Sequence, residues 1–204
     1  LLPKLLLSTL FPLALFGMIE LCLRLADVGF SSHLMIKDRI GGRDVYRDNL
    51  FFTYRFMNPA LARCPSPIVI DETKPDDVFR VVVLGESAAQ GDPLPEFGVS
   101  RLLQPLLSAG LVTGRVEVVN AAIAAISSPV ILEVARDLPR LDPDLVILYI
   151  GNNEVIGPYG PGTVFTRFFQ SDWISGLARQ ASRLRLYQAM RRGETRDKQL
   201  RSAL

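Results

Sequence analysis

Residues 81–91, VVVLGESAAQG, carry four apolar residues into Gly85, an acid and Ser87. A serine placed just after a buried strand can present its hydroxyl as a nucleophile, provided a base takes its proton. Two other short stretches could assist it. VVNAA (118–122) ends a second apolar run in small residues, where the Ala122 amide could donate to a developing oxyanion. GNNE (151–154) follows a third run, where the Asn153 carboxamide could donate as well. A nucleophile position and two donors are what acyl transfer requires. A plainer role stands against each: Ser87 as a turn residue, Ala122 as simple packing, Asn153 as a loop cap, Asn120 as a turn former. Glu154 reads as structural.

The elements around these residues follow a regular alternation. FRVVVL (79–84) is a continuous apolar run bounded by Gly85, the pattern of a strand buried on both faces. FGVSRLLQPLLSA (97–109) has helical spacing, with Pro105 expected to bend or shorten it and Gly110 to stop it. RVEVVN (115–120) predicts a second strand. SPVILEVARDLPRL (128–141) predicts a second helix, with Ser128 as N-cap and Pro129 at the first helical position. DLVILYIG (144–151) predicts a third strand, and upstream Ile68–Ile70 is also strand-like. Strand, helix, strand, helix, strand at this spacing argues for an α/β fold with a parallel sheet. Ligands on such sheets bind beyond the carboxyl ends of the strands, where Ser87, Ala122 and Asn153 all fall.

At 204 residues the chain has room for one domain and an appendage. Its 23 Lys+Arg against 21 Asp+Glu are too even to imply a nucleic-acid partner. Residues 5–26 are strongly apolar, and Leu5 to Ile19 carry no charge. As a helix they extend about 33 Å, enough for a lipid hydrocarbon core of about 30 Å. This predicts a membrane anchor (1–27), with the lipid bilayer as partner. Glu20 and Arg24, four apart, share a helix face and can pair; Pro12 is tolerated in membrane helices. A cleaved signal peptide would want a small-x-small site after the core, and none is present. Lys4 precedes the span while Arg24, Lys37, Arg39 and Arg43 lie after it, a count that does not favour a translocated domain. An extended lead-in (28–65), an α/β domain (66–165) and a basic helical segment (166–204) complete the expected organisation. In the last, 171–192 predicts a helix with Ser171 as N-cap and an arginine-rich face, read as solvated or resting on an anionic membrane. Cys22 and Cys64 are not expected to pair. No metal-ligand spacing, P-loop or dinucleotide fingerprint is present, so no cofactor is expected.

The three stretches resemble, in order, the first three blocks of the SGNH (GDSL-like) hydrolases. VVLGESAAQG is similar to the first block, with Ser87 at the nucleophile position. VVNAAIAA is similar to the second, with Ala122 where the family has its oxyanion glycine. GNNE is similar to the third, Gly-x-Asn-Asp, with Asn153 as the oxyanion side chain and Glu154 replacing the acid. The resemblance covers about residues 66–165 and is strongest to membrane-anchored bacterial proteins of this type. It implies a three-layer flavodoxin-like parallel sheet, a periplasmic domain, and a serine ester hydrolase or acyltransferase acting on an acyl ester. The fourth block, Asp-x-x-His, is not found. The single histidine, His33, lies upstream and is expected in an interfacial or loop role. The chain starts without Met, so a fragment is expected, and this segment alone is not expected to catalyse. Either the base lies past residue 204, or the domain has lost its chemistry and serves as an accessory subunit of a membrane complex.

Overall fold

The computed structural model describes residues 2–110, 114–163 and 172–191. Helix α1 (Leu2–Leu25) comes first. It is long and apolar enough to cross a membrane, and its 18-residue span Ser8–Leu25 is almost wholly exposed. The expected pair forms on it, with Arg24 Nε donating to Glu20 Oε1 at 2.9 Å.

The stretch expected as an extended lead-in is more structured than its sequence suggested. Strands β1 (Met35–Ile40) and β2 (Arg43–Asp48) form an antiparallel hairpin. Its two-residue turn is Gly41-Gly42, both at positive φ (58° and 81°), the conformation a tight hairpin demands. The alternation that announces a strand is missing because β1 is mostly solvent-exposed. Cross-strand charge pairs, Asp38 with Arg47 and Arg39 with Asp44, occupy its surface instead. A short 3-10 turn comes next at Phe52–Arg55, and β3 (Val69–Asp71) pairs antiparallel with β2.

The second sheet is parallel. Strand β4 (Val78–Gly85) leads to α2 (Ser87–Gln90) and α3 (Val99–Ser108), then β5 (Arg115–Asn120). Helices α4 (Ser128–Ala135) and α5 (Leu138–Leu141) lead to β6 (Leu145–Tyr149). The strand order is β5-β4-β6, with β4 central. The fold is therefore mixed α/β, with a parallel three-stranded sheet, an antiparallel one and an apolar N-terminal helix. Helix α3 runs through Pro105 to Ser108. The N-cap of α4 is Ser127, one residue before the expected Ser128; its hydroxyl donates to Pro158 O at 2.6 Å rather than capping.

Alternation along β4 divides the core. Val82 and Leu84 join a large cluster with Phe52, Phe56, Met57, Ile123, Val130 and Val134. Val83 faces a small one with Ala89 and Ala122. The free edge of β5 is blocked by Gln104, whose amide donates to Val116 O and accepts from Val118 N–H. The free edge of β6 is not. Leu145, Val146, Leu148 and Tyr149 are 40–57% exposed, on both faces of a strand whose apolar run is that of a buried one.

One charged cluster joins the segments. Glu133, on α4, is buried with its carboxylate on Arg55 and Arg183 (2.8 Å each), with Arg136 also paired and Arg179 at 3.9 Å. Arg55 is equally buried and bonds Ser32 O and Ser182 Oγ. Lead-in, α4 and C-terminal segment are thus tied at one carboxylate. The expected helix over 171–192 is broken here: α6 (Asp172–Ala181) ends, Ser182 Oγ donates to Arg179 O, and helix resumes over 185–191. Ser171 and residues 192–204 lie outside the described residues.

Burial alone would raise the Glu133 carboxyl, but hydrogen bonds from Arg183 and Arg55 outweigh it and hold it below its ordinary 4.5. A depressed carboxylate contributes stability above its unfolded value and loses it as pH falls through the folded one. Glu133→Gln leaves several guanidinium groups facing a neutral amide and is expected to lower unfolding stability by about 3–5 kcal/mol in denaturant titrations at neutral pH. The wild type should lose stability below pH 4.5, while the Gln variant should show a flatter acid limb.

Candidate functional site at the carboxyl edge of the parallel sheet

Gly85 ends β4, and the tight approach of neighbouring chain requires glycine there. A Cβ on it would stand 2.4 Å from Tyr149 O and 2.5 Å from Ala89 Cβ. Glu86 comes next, fully buried, in extended conformation (φ −106°, ψ −159°). Its carboxylate accepts N–H bonds from Asn152 (2.8 Å), Asn153 (3.1 Å) and, more loosely, Gly151 (3.4 Å). Buried carboxylates demand such donors, because desolvation without them is far too costly. The end of β4 is in this way bonded to the loop after β6.

Ser87 opens α2 and is half-buried. Its hydroxyl has no hydrogen-bond partner among the described residues, and its N–H, at the first helical position, has no intrahelical acceptor. Its carbonyl accepts from Gly91 (2.9 Å) and Asp92 (3.0 Å), closing the turn. Ala122 lies on the β5 side of β4, where Ile123 N–H donates to Gly85 O at 3.1 Å. The Ala122 amide is occupied within its own turn, donating to Asn120 Oδ1 at 3.2 Å, and its side chain packs on Val83 and Ala89. Asn120 is therefore the turn former its type suggested, and its Nδ2 also donates to Gln90 O. Asn153 lies on the β6 side. Its Nδ2 is buried with no hydrogen-bond partner. A buried unpaired donor costs about 1–3 kcal/mol and calls for an explanation.

The fold thus brings Ser87, Ala122 and Asn153 to one edge, with β4 between the other two strands. Glu154, next in sequence, caps α4: it accepts from Ser128 N–H (3.0 Å) and Ser128 Oγ (2.6 Å). A cleft of about 450 Å³ lies alongside β5, walled in part by Ile70, Gln90, Ser100, Gln104 and Asn120; Ser87, Ala122 and Asn153 are not among its walls.

His33 does meet an aspartate, but elsewhere. Its Nδ1 stands 2.6 Å from Asp137 Oδ1, and Asp137 also accepts from the Leu34 and Met35 amides. Asp137 lies just past the end of α4, which starts at the carboxyl edge and runs back along the sheet. Leu141 and Asp144, a few residues on, bond Arg80 near the start of β4. The His33–Asp137 pair therefore lies toward the amino end of β4, and no hydrogen bond among the described residues joins it to Ser87. No group of three or more His, Cys, Asp or Glu among the described residues could hold a metal ion.

Sequence reasoning passed over Glu86. The available signal was an acid directly after an apolar strand, where a buried carboxylate must find donors from elsewhere in the chain. No family model, curated protein or solved structure matches the chain.

Glu86→Ala strips three amides of their acceptor and is expected to cost at least about 2 kcal/mol in denaturant unfolding. Asn153→Ala removes a donor that has no partner and is expected to change stability by less than about 1 kcal/mol. Equal losses for the two would reject this account of the edge.

Proposed function

We propose that the parallel sheet is the first part of an SGNH-type, flavodoxin-like sheet on a membrane-anchored protein, and that its carboxyl edge is an acyl-ester site awaiting a base from outside the described residues. The observation carrying this is the buried, unpaired Asn153 Nδ2 at the same edge as Ser87. An amide kept dry and unsatisfied suits a group whose acceptor appears only in a transition state. The strand order β5-β4-β6 corresponds to the start of the doubly wound order 2-1-3. The open apolar edge of β6 agrees with further strands joining there.

In this reading Ser87 Oγ attacks the ester carbonyl carbon and its proton passes to the base. The oxygen of the tetrahedral intermediate takes hydrogen bonds from Asn153 Nδ2 and the Ser87 amide; the Ala122 amide joins only by leaving Asn120. The alcohol departs with the base's proton, and water or a second alcohol takes the acyl group from Ser87. The segment alone, without a base, is inactive or very slow.

Retention of α1 as an anchor is supported by Glu20, whose carboxylate accepts from the Arg185 and Leu186 amides at 2.9 and 3.0 Å. Cleavage of a leader would strip these donors of their partner, and a soluble core helix would not be exposed along its length. A periplasmic location rests on the resemblance alone. A second reading, an accessory subunit docking other membrane proteins, is favoured by the exposed apolar edge of β6.

Added imidazole can stand in for a missing base. With it, the protein is expected to hydrolyse p-nitrophenyl acetate above the protein-free background, to lose the excess on Ser87→Ala, and to lose about 10²–10³-fold of it on Asn153→Ala. Equal imidazole-dependent rates for wild type and Ser87→Ala would reject the ester site and leave the accessory reading.

A further inference from the structure

Glu20 makes α1 part of the folded domain. It stands five residues before the end of the helix, is 8% exposed, and holds the start of the 185–191 helix by two amides. A second tie lies just past the helix: Phe30 N–H donates to Gln188 Oε1 at 3.0 Å. Gly29 (φ 99°) leaves no room for a side chain between these elements, since a Cβ there would stand 2.6 Å from Gln188 Oε1. The exit of α1 is therefore fixed to the domain on both sides of the turn.

Three aromatic rings sit at that exit. Phe51 and Tyr54 pack edge to face at 5.4 Å, and Phe30 lies 6.2 Å from the first and 6.1 Å from the second. Arg191 holds the underlying chain through the carbonyls of Tyr54, Arg55 and Met57. Yet Leu50 and Phe51 are 49% and 46% exposed. Arg24, on the same end of α1, has a half-exposed side chain. The uncharged run Leu5–Ile19 ends at Glu20, so Glu20 and Arg24 mark the end of α1 that reaches the boundary of the hydrocarbon core. Aromatic rings with basic neighbours at that depth are what a membrane interface accommodates.

We infer that the Leu50–Phe51 face, backed by Phe30 and Tyr54, is a membrane-contacting surface that lies in the interfacial layer of the bilayer α1 spans. The occupant is lipid because the face is continuous with the span and rigidly tied to it. The domain is then held at one fixed tilt on the membrane, not hung from a flexible stalk. The inference rests on α1 being a span, and the test separates the two.

Trp173 is the only tryptophan. In a Trp173→Phe background, single tryptophans are placed by Leu13→Trp, Phe51→Trp or Leu102→Trp, and the full chain is reconstituted in phosphatidylcholine vesicles with or without bromine near the headgroup end of the acyl chains. Leu13→Trp and Phe51→Trp are expected to show quenched, blue-shifted emission, and Leu102→Trp, exposed on α3, neither. Adding Glu20→Leu, which removes one of the two ties, should weaken quenching of Phe51→Trp and spare Leu13→Trp. Quenching at Leu13→Trp without quenching at Phe51→Trp overturns the contact surface and leaves the anchor. No quenching at Leu13→Trp overturns the anchor as well. Quenching at Leu102→Trp as strong as at Phe51→Trp overturns the assignment of this face. Quenching at Phe51→Trp unchanged by Glu20→Leu overturns the rigid tie.

Discussion

A buried carboxylate between Gly85 and Ser87 decides the geometry of the sheet's carboxyl edge. Glu86 cannot be left without donors in an apolar interior, and those it reaches are the amides of residues 151–153. Satisfying it pulls the loop after β6 against the end of β4. Ser87 follows it directly in the chain, and Asn153 is held by its own backbone from the other side. The Asn153 side chain is left free of structural duty, a necessary condition for any role it has toward a ligand.

The same device recurs along the chain. Glu154 caps α4, Glu20 caps the 185–191 helix, and Asp137 gathers the amides of Leu34 and Met35. Asp144 accepts from the Arg80 amide, which, with Lys74, holds its carboxyl below the ordinary range. Each bond joins segments distant in sequence. Ionised acceptors on backbone amides are among the stronger hydrogen bonds, and they suit a molecule whose two small sheets share one principal cluster of apolar side chains. Glu133 differs, answering to guanidinium groups instead. Burial pushes the Arg55 guanidinium down while the Glu133 carboxylate pulls it up, and burial prevails. A pair held so far from water specifies position more than it adds stability.

Tyr159 shows how closely the loop after β6 is drawn in. It packs against Phe56 and lies under the Arg179 guanidinium. Burial pushes its phenol up to about 12, so it is neutral at neutral pH. Loop, lead-in and C-terminal segment therefore meet over α4, on the side of the sheet away from the small Val83 cluster. Helix α1 and the sheet's carboxyl edge belong to one connected body through the Glu20, Arg55 and Glu86 contacts.

Local pattern was enough for the apolar helix, the Glu20–Arg24 pair, the three parallel strands and the position of Ser87, Ala122 and Asn153 after them. These come from local sequence, because a buried strand or a long apolar helix declares itself in a continuous run of apolar neighbours. The hairpin at 35–48 escaped that reading, since its outward face is charged and carries no apolar alternation. What only the tertiary structure decided is where each carboxylate finds its donors. Glu86 reaches residues 151–153, Glu133 reaches Arg55 and Arg183, and His33 reaches Asp137 toward the amino end of β4. Those partners lie roughly fifty to a hundred and sixty residues apart or are chosen among many arginines. No local period encodes such a match; it is set by which amides and guanidinium groups remain unsatisfied once the strands and helices have packed.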